Sequence, residues 1–459
     1  MATFITSKNL CISVDPGFNA TKVVVNGLIF EIPNAVLDVT GKTNEFLELG
    51  GASKRTPGYL VSRYVPNKEY LVGELARRSL TEKSERNAFK VKSEMMDSKN
   101  RFETSDFQVN LMTCIGAAII KYANESVRRK LKPEIHLENP NELASFRVFV
   151  GVALPNDWVN DIWPTIENYL IGQHNYSVDT EEGSYELNFK IEEKHAMATS
   201  QAIAALIGTA YDDNGDPIPN AATLKDLPAV ILDGGYKTIG LFQLTKANRV
   251  AAAESNTDFA MDNIHKEVAR IIREDYGREQ IESFMIPSII EGGGKLNYLA
   301  LKNPMDENNK TTVSRTVDVT KIRDKVQRDV CEKLIEYMDE KFDNFLDIRQ
   351  IIITGGTGSA YYKQMVEYFN EQREFLQGKV ILTDYEFLGA PIDPVYGVAV
   401  GLYKILKNQI AKALKRSNLE GETVVEVTTS KAKPETAVEN NTDKIKNKPV
   451  NRPVQNVEE

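Results

Sequence analysis

The chain has 459 residues, 42% of them hydrophobic and 26% charged, and a formal net charge of −9. That length exceeds one ordinary hydrophobic core and implies two or more domains, while the composition is globular, neither disordered nor fibrous. The acidic balance without a clustered basic surface argues against direct nucleic-acid binding, so a DNA role would need an adaptor.

Cys11, Cys114 and Cys331 are too few and too scattered for a disulfide framework or a zinc site, which suits a reducing, cytoplasmic setting. Residues 1–9 are polar and lack the charged and apolar regions of a secretory signal. No apolar run approaches the ~18–20 residues that span a bilayer, so no membrane partner is expected.

In chain order, residues 10–15, 21–26 and 28–32 alternate apolar and polar around turns at 16–19 and 27, which predicts an opening β-meander. Short strands follow at 58–61 and 70–73, then a helix at 74–83. Apolar residues at helical spacing predict a long buried helix over 106–130, capped by Ser105 or Asp106. Residues 146–155 form an apolar run stopped by Pro155, as expected of a strand covered on both faces.

The second half repeats this theme. A strand at 187–191, a helix at 197–208, strands at 229–232 and 239–244 around an aspartate-glycine turn, and an amphipathic helix at 261–276 are predicted. Two copies of one α/β unit with a cleft between them follow from that parallel. A charged helical stretch at 319–345 precedes a third glycine turn at 354–358, a strand at 380–382 and a helix at 395–414. Small residues at 397–401 let another helix pack closely. From about residue 417 the aromatic residues vanish and Thr, Lys, Glu, Asn and Pro dominate, so residues 417–459 are expected to form a disordered polar tail.

Three glycine turns, each after an apolar run, carry the chemistry: Asp15-Pro16-Gly17-Phe18-Asn19, Asp233-Gly234-Gly235-Tyr236-Lys237-Thr238 and Thr354-Gly355-Gly356-Thr357. Glycine lets backbone N–H groups approach a phosphate closely. Asp-Gly is also a common hairpin turn, but three in order favour nucleotide binding. A nucleoside triphosphate brings about four negative charges, which N–H donors, a lysine and a divalent cation can offset. Asp15 and Asp233 are expected to hold Mg²⁺ through its waters. Gly17, Asn19, Gly234, Gly235 and Thr238 would contact phosphates. Lys22 is the first-loop cation, or else a surface lysine on a strand. Gly292-Gly293-Gly294-Lys295 fails the Walker spacing and is either a loop near the nucleotide or a turn. His136, His174, His195 and His265 show no ligand spacing, and Trp158 and Trp163 read as core or interface anchors.

The segment Asp15-Pro16-Gly17-Phe18-Asn19-Ala20-Thr21-Lys22, with the turns at Asp233 and Thr354, resembles the two phosphate motifs and the adenosine motif of the actin-like ATPase superfamily. Its first loop and length look most like the bacterial and plasmid ParM and Alp group. The resemblance covers residues 10–415 and implies an α/β, two-lobed actin-like (ribonuclease H-like) ATPase fold with a central nucleotide cleft. Domain I would be residues 1–155 plus 395–416, and domain II residues 156–394. It implies that Phe18 and Thr21 join the first loop, and Gly355, Gly356 and Thr357 the adenosine side. Lys266, Glu267 or Arg270 would approach the ribose or base, unless they form a solvated helical face. The family places a Glu or Gln after a strand, at the start of a helix, to orient water. Glu193 is favoured for that role here and Glu192 is the alternative, although both could simply favour a helix N-terminus.

The implied function is a filament-forming protein that hydrolyses ATP or GTP with Mg²⁺ and segregates plasmid DNA through a small DNA-binding adaptor. A small-molecule kinase or phosphatase of the same superfamily is the alternative. Self-assembly would use surface loops, for which residues 41–57 and 303–316 are candidates, although flexible surface loops account for both equally well.

Overall fold

The computed structural model describes residues 8–49, 53–82, 99–131, 134–155, 158–213, 228–245, 250–301, 312–382 and 385–416. The expected polar tail and most of the candidate patch at 303–316 lie outside them. Among the described residues no helix is long and apolar enough to cross a membrane.

The chain opens with the expected meander: β1 (Asn9–Pro16), β2 (Ala20–Val25) and β3 (Leu28–Pro33). Asn26 at φ 41° and Gly27 at φ 95° make the second turn, the pair of left-handed residues that a two-residue hairpin demands. The short strands β4 (Val36–Asp38), β5 (Leu60–Ser62) and β6 (Tyr70–Val72) lead into α1 (Glu74–Glu82). The long buried helix α2 (Ser105–Arg128) starts one residue earlier than its acidic cap signal suggests, because Thr104 Oγ1 accepts from Phe107 N at 3.2 Å. There follow β7 (Arg147–Leu154), α3 (Val159–Leu170), β8 (Gly172–Thr180), β9 (Gly183–Ile191), β10 (Ala196–Ser200) and α4 (Gln201–Ala210).

The second half holds β11 (Ala229–Gly234), β12 (Ile239–Leu244), β13 (Val250–Asn256), α5 (Met261–Tyr276), the hairpin β14 (Lys295–Leu301) and β15 (Thr312–Asp318), and α6 (Val319–Lys341). Then come β16 (Gln350–Thr354), α7 (Gly356–Gln372), β17 (Val380–Leu382), β18 (Tyr385–Phe387), β19 (Ala390–Ile392) and α8 (Gly397–Arg416).

The two main sheets share one topology. The first has the order β3-β2-β1-β7-β10, antiparallel from β3 to β1 and parallel from β1 to β10. The second, β13-β12-β11-β16-β17, repeats those senses strand for strand. The repeat read from the glycine turns is thus a repeat of whole sheets. A third, smaller sheet, β4-β6-β5-β8-β9, is built within the first half.

Two sequence expectations need correction. Residues 197–208 are not one helix: Ala196–Ser200 pair with Val150–Leu154 of β7, and the helix starts only at Gln201. A short strand of Ala, Met and Thr lacks the β-branched run that marks a buried strand, so its pairing is set by the neighbour. The domain break expected after residue 155 is also misplaced. Strands β8 and β9 complete the smaller sheet of the first half, and β10 completes its main sheet, so that lobe runs to Ser200. Pro155 ends a strand, not a domain.

Both sheets are sandwiched, and alternation along each central strand decides which side chain faces which layer. Leu10, Ile12 and Val14 of β1 join the core under α2, whereas Cys11 packs with Ala399, Val400 and Tyr403 of α8. Val230 and Leu232 of β11 face the core of α5, α6 and α7, whereas Ala229 and Ile231 face Ala202 and Leu206 of α4. Helices α4 and α8 therefore form the middle layer, and they pack on each other. Their crossing is close because small residues meet there, as the 397–401 run predicts: a Cβ built on Gly401 would lie 1.7 Å from Ala204 O.

Lys404, 4% exposed, locks the same pair: its Nζ donates to Gly208 O at 3.1 Å and to Tyr211 O at 2.7 Å, satisfying the end of α4. Burial pulls its pKa down, opposed by the facing Asp213. Lys404→Met should leave those carbonyls without a donor and lower stability by about 1–3 kcal/mol, read from the urea midpoint.

Candidate functional site

The first glycine turn is a hairpin loop closed by the register Asp15 to Lys22 and Pro16 to Thr21. Three bonds fix it: Gly17 N donates to Asp15 O at 2.9 Å, Asn34 Nδ2 to Gly17 O at 3.0 Å, and Arg101 Nη2 to Pro16 O at 2.7 Å. A Cβ on Gly17 would sit 2.6 Å from Ala20 O and 2.9 Å from Lys22 Nζ. Glycine is required by that closeness, and Lys22 folds its ammonium back over the loop.

The second turn is closed by Gly235 N, which donates to Thr238 O at 2.9 Å. It lies directly against the third. A Cβ on Gly234 would be 2.0 Å from Gly358 N, and one on Gly355, at φ +77°, would be 2.5 Å from Gly234 O. Thr357 Oγ1 donates to Gly235 O at 2.7 Å and ties the two turns together. Gly356 opens the 17-residue helix α7 at the cavity.

These turns converge on one cavity of about 230 Å³ between the lobes. Asp15, Gly17, Phe18, Asn19, Ala20 and Lys22 line it from the first lobe, with Glu31, Arg101, Pro155 and Gln201. From the second lobe come Asp233, Gly234, Gly235, Tyr236, Thr238 and Met261, then Gly355, Gly356 and Thr357, with Pro394, Val395 and Val398 on the return to α8. Desolvation, with the charge of Asp15 added, pushes the pKa of Asp233 up to about 7, against the pull of Lys22. Asp15 and Asp233 thus face one cavity from the two lobes. Among the described residues no group of three or more His, Cys, Asp or Glu could cage a metal.

The structure brings together Asp15, Gly17, Phe18, Asn19, Lys22, Asp233, Gly234, Gly235, Thr238, Gly355, Gly356 and Thr357 on the cavity wall. Thr21 is not among them. Strand alternation sends Ala20 and Lys22 to the cavity and Thr21 to the buried side, where Asn110 Nδ2 of α2 donates to its Oγ1 at 2.9 Å. Lys266, Glu267 and Arg270 also stand off the wall. Lys266 pairs with Asp262 at 2.8 Å and Arg270 with Glu267 at 2.6 Å along α5. The turn at Gly292–Gly294 lies off the cavity as well. It joins a short helix, Ile286–Glu291, to β14, and the left-handed Gly294 sets its carbonyl to accept from Val319 N at 2.7 Å.

Glu193 and Glu192 are the clearest misplacement. Both precede β10, whose far end, Ser200 beside Leu154, is the end that reaches the cavity. Seven residues of mostly extended chain put Glu193 roughly 20 Å away. Glu192 pairs with Lys194 at 3.1 Å instead. The residue that does follow the strand and open the helix is Gln201, and its Nε2 donates to Asp15 Oδ1 at 3.0 Å. A signal for it existed: Ser200 is a good N-cap, and its Oγ accepts from Ile203 N at 3.1 Å. Arg101 carried no such mark, since only tertiary packing brings it to the loop. Trp158 and Trp163 pack against the first-lobe core.

No family model matches the chain, and no curated protein matches it in sequence. Solved structures do match in fold. The actin-like protein Alp7A is 17% identical, with a TM-score of 0.60 over 89% of this chain and 99% of that one. A 15-stranded ParM filament from Clostridium botulinum is 15% identical, with a TM-score of 0.55 over 87% of this chain and 99% of that one. A ParM with ATP from Bacillus thuringiensis is 14% identical, with a TM-score of 0.50 over 90% of this chain and all of that one. With its paired sheets, middle-layer helices and facing glycine turns, the chain has an actin-like fold of the ParM and Alp type.

Proposed function

We propose that this chain is a nucleotide-dependent filament-forming ATPase or GTPase. The observation that carries the reading is the cavity itself. Two glycine turns from topologically matching sheets face each other with Asp15 and Asp233 between them, and the adenosine-type turn leans on the second. Self-assembly is supported by the fold shared with a ParM filament, and the nucleotide by the fold shared with a ParM bound to ATP. DNA cargo would be reached through a basic adaptor, because an overall charge of −9 disfavours direct phosphate contact.

Asp15 and Asp233 would hold Mg²⁺ through water, and the ion would neutralise charge on the phosphates. The N–H of Asn19 and the close backbone of Gly17, Gly234 and Gly235 would cradle the phosphates, with Lys22 opposing their charge. Gln201 would orient water for in-line attack: it sits at the strand-to-helix junction on the cavity wall, and its bond to Asp15 fixes its amide. The base end lies towards Met261 and Gly355–Thr357. Closing the lobes on nucleotide would stabilise the subunit contact, and hydrolysis would weaken it.

Light scattering at 90° after adding Mg²⁺ with ATP, and separately with GTP, tests this. The wild type should scatter and then decay. Gln201→Ala should slow turnover about a hundredfold and scatter persistently, whereas Glu193→Ala, remote from the cavity, should behave as wild type. Absence of scattering together with sugar-stimulated ATP turnover would replace the filament reading with a kinase.

A further inference from the structure

Among the described residues five large hydrophobic side chains stand exposed, and three of them, Leu299, Leu346 and Phe375, lie at the two ends of α6. The helix has 23 residues and is therefore about 34 Å long. Its first end carries the β14–β15 hairpin. Lys295 stands opposite Asp318, whose carboxylate caps α6 through Lys321 N at 3.1 Å, and Tyr298 meets Tyr276, the last residue of α5, edge-on at 5.1 Å. Strand alternation turns Leu296 and Tyr298 to the core and Leu299 outward, 71% exposed. Among the described residues β14 and β15 pair only with each other, so both edges of the hairpin are open.

The other end is built with backbone strain. Asp343, Asn344 and Phe345 follow α6 at φ 47°, 53° and 61°, a left-handed run that residues other than glycine rarely adopt. It turns Phe345 inward onto Phe369, with ring centres 5.0 Å apart, and leaves Leu346 outward and 60% exposed. Arg373 Nη2 donates to Asn344 Oδ1 at 3.3 Å and pairs with Asp339 at 3.0 Å. The end of α7 is thereby brought beside this turn, with Phe375, 39% exposed, two residues on. The two ends also differ in charge. In the first half of α6 Lys321, Arg323, Lys325 and Arg328 outnumber Asp324 and Asp329, and beyond the capping Asp318 the hairpin adds Lys295 and Arg315. In the second half Glu332, Glu336, Asp339 and Glu340 outnumber Lys333 and Lys341, and the turn adds Asp343 and Asp347 against Arg349. A helix macrodipole favours the opposite order, acids first and bases last, so the helix itself does not ask for this pattern.

We propose that copies of this chain stack head to tail along α6, the hairpin end of one copy seating Leu299 against Leu346 and Phe375 of the next. A second copy is the occupant that both ends fit. Each apolar feature has its counterpart about one helix length away, and the basic end of one copy meets the acidic end of its neighbour. The contact is heterologous, so every added copy presents a free end of the same kind to the one that follows. Pairing between like ends would set like charges against each other. The proposal rests on the self-assembly reading above and adds to it which surfaces meet.

Light scattering and sedimentation of the full chain with Mg²⁺ and ATP or GTP test it. Leu299→Glu, and Leu346→Ser combined with Phe375→Ser, should each raise the chain concentration needed for assembly at least about tenfold, because each removes the apolar centre of the contact. Either variant keeps one intact end. Added to wild type in small amounts it should cap growing polymer and slow the scattering, whereas a chain altered at both ends should leave wild-type growth unchanged. Assembly of either variant at the wild-type concentration would overturn the proposal, as would equal slowing by the chain altered at both ends. A wild type that assembles with neither nucleotide would instead overturn the self-assembly reading beneath it. Should Leu299→Glu not fold, Lys295→Glu with Arg315→Glu alters the same end from the surface, and the same outcomes decide.

Discussion

Replacing Asp233 with asparagine is expected to make the nucleotide-free protein more stable at pH 8 while weakening its hold on a Mg²⁺-nucleotide. The carboxyl sits half-buried at the end of β11 with the charge of Asp15 across the cavity, and these two causes raise its pKa from 3.8 to about 7. Such a group binds its proton more readily in the folded chain than in the unfolded one. Its contribution is nil below about pH 4, where both states are protonated. It turns unfavourable as the pH climbs towards 7, and it stays level above that. A rise of this size corresponds to roughly 4 kcal/mol at most, and less once cavity water solvates the carboxylate.

Asparagine keeps the shape and removes the charge. Urea midpoints of the variant and the wild type should therefore coincide near pH 4 and diverge by pH 8, with the variant the more stable. Binding runs the other way. The wild type should lose Mg²⁺-nucleotide affinity as the pH falls through about 7, because the proton and the ion compete for one carboxylate. Asp233→Asn should bind weakly at every pH. A variant less stable than wild type at pH 8, or one that binds nucleotide normally, would show that Asp233 is not the strained half of a cation site. Stability given up at a functional carboxylate is the expected trade where a site is built to receive charge.

The parts of this site that the sequence displays are those where backbone geometry forces a residue type. Gly17, Gly234 and Gly355 are legible because no other residue fits their contacts with Ala20, Gly358 and Gly234, and the aspartates are legible because each ends an apolar strand. Thr21 was within reach too, since Ala20 and Lys22 facing the cavity require their neighbour to face away. What stayed hidden depends on strand pairing. Residues 196–200 become a strand only because β7 offers them an edge, and that one pairing shifts the strand-to-helix junction from Glu193 to Gln201 and the lobe boundary from 155 to 200. Arg101 is further still from sequence reasoning. Nothing near it in the chain announces a ligand, and its place on the cavity wall is set by Pro16 and Phe18, which are distant in sequence.

The second large effect is expected at Gly401, one helical turn beyond Val398 of the cavity wall. Chain order requires two passages between the lobes, one leaving the first sheet through α4 and one returning into α8, and these two helices touch at Gly401. A Cβ there would meet Ala204 O at 1.7 Å, Ala204 C at 2.6 Å and Gly208 N at 2.9 Å. All three are backbone atoms, so no rotamer change relieves the clash and the helices must separate. Gly116, in the middle of α2, is the natural comparison. Its Cβ would meet Leu187 Cδ1, which can yield, and Tyr176 Oη, which is held by its bond to Met112 O, both at 2.9 Å. Alanine also gains about 1 kcal/mol of helix propensity over glycine at either position. Gly116→Ala should therefore lose only about 1–2 kcal/mol, whereas Gly401→Ala should lose more than about 3 kcal/mol, beyond the usual cost of an overpacked core. Thermal and urea unfolding of the two variants measure the difference. If Gly401→Ala does fold, the wedge between α4 and α8 should hold the lobes in a changed closure, so that nucleotide still binds but no longer drives assembly. Wild-type stability and scattering in that variant would mean that the two helices are free to slide, and that lobe closure is governed elsewhere.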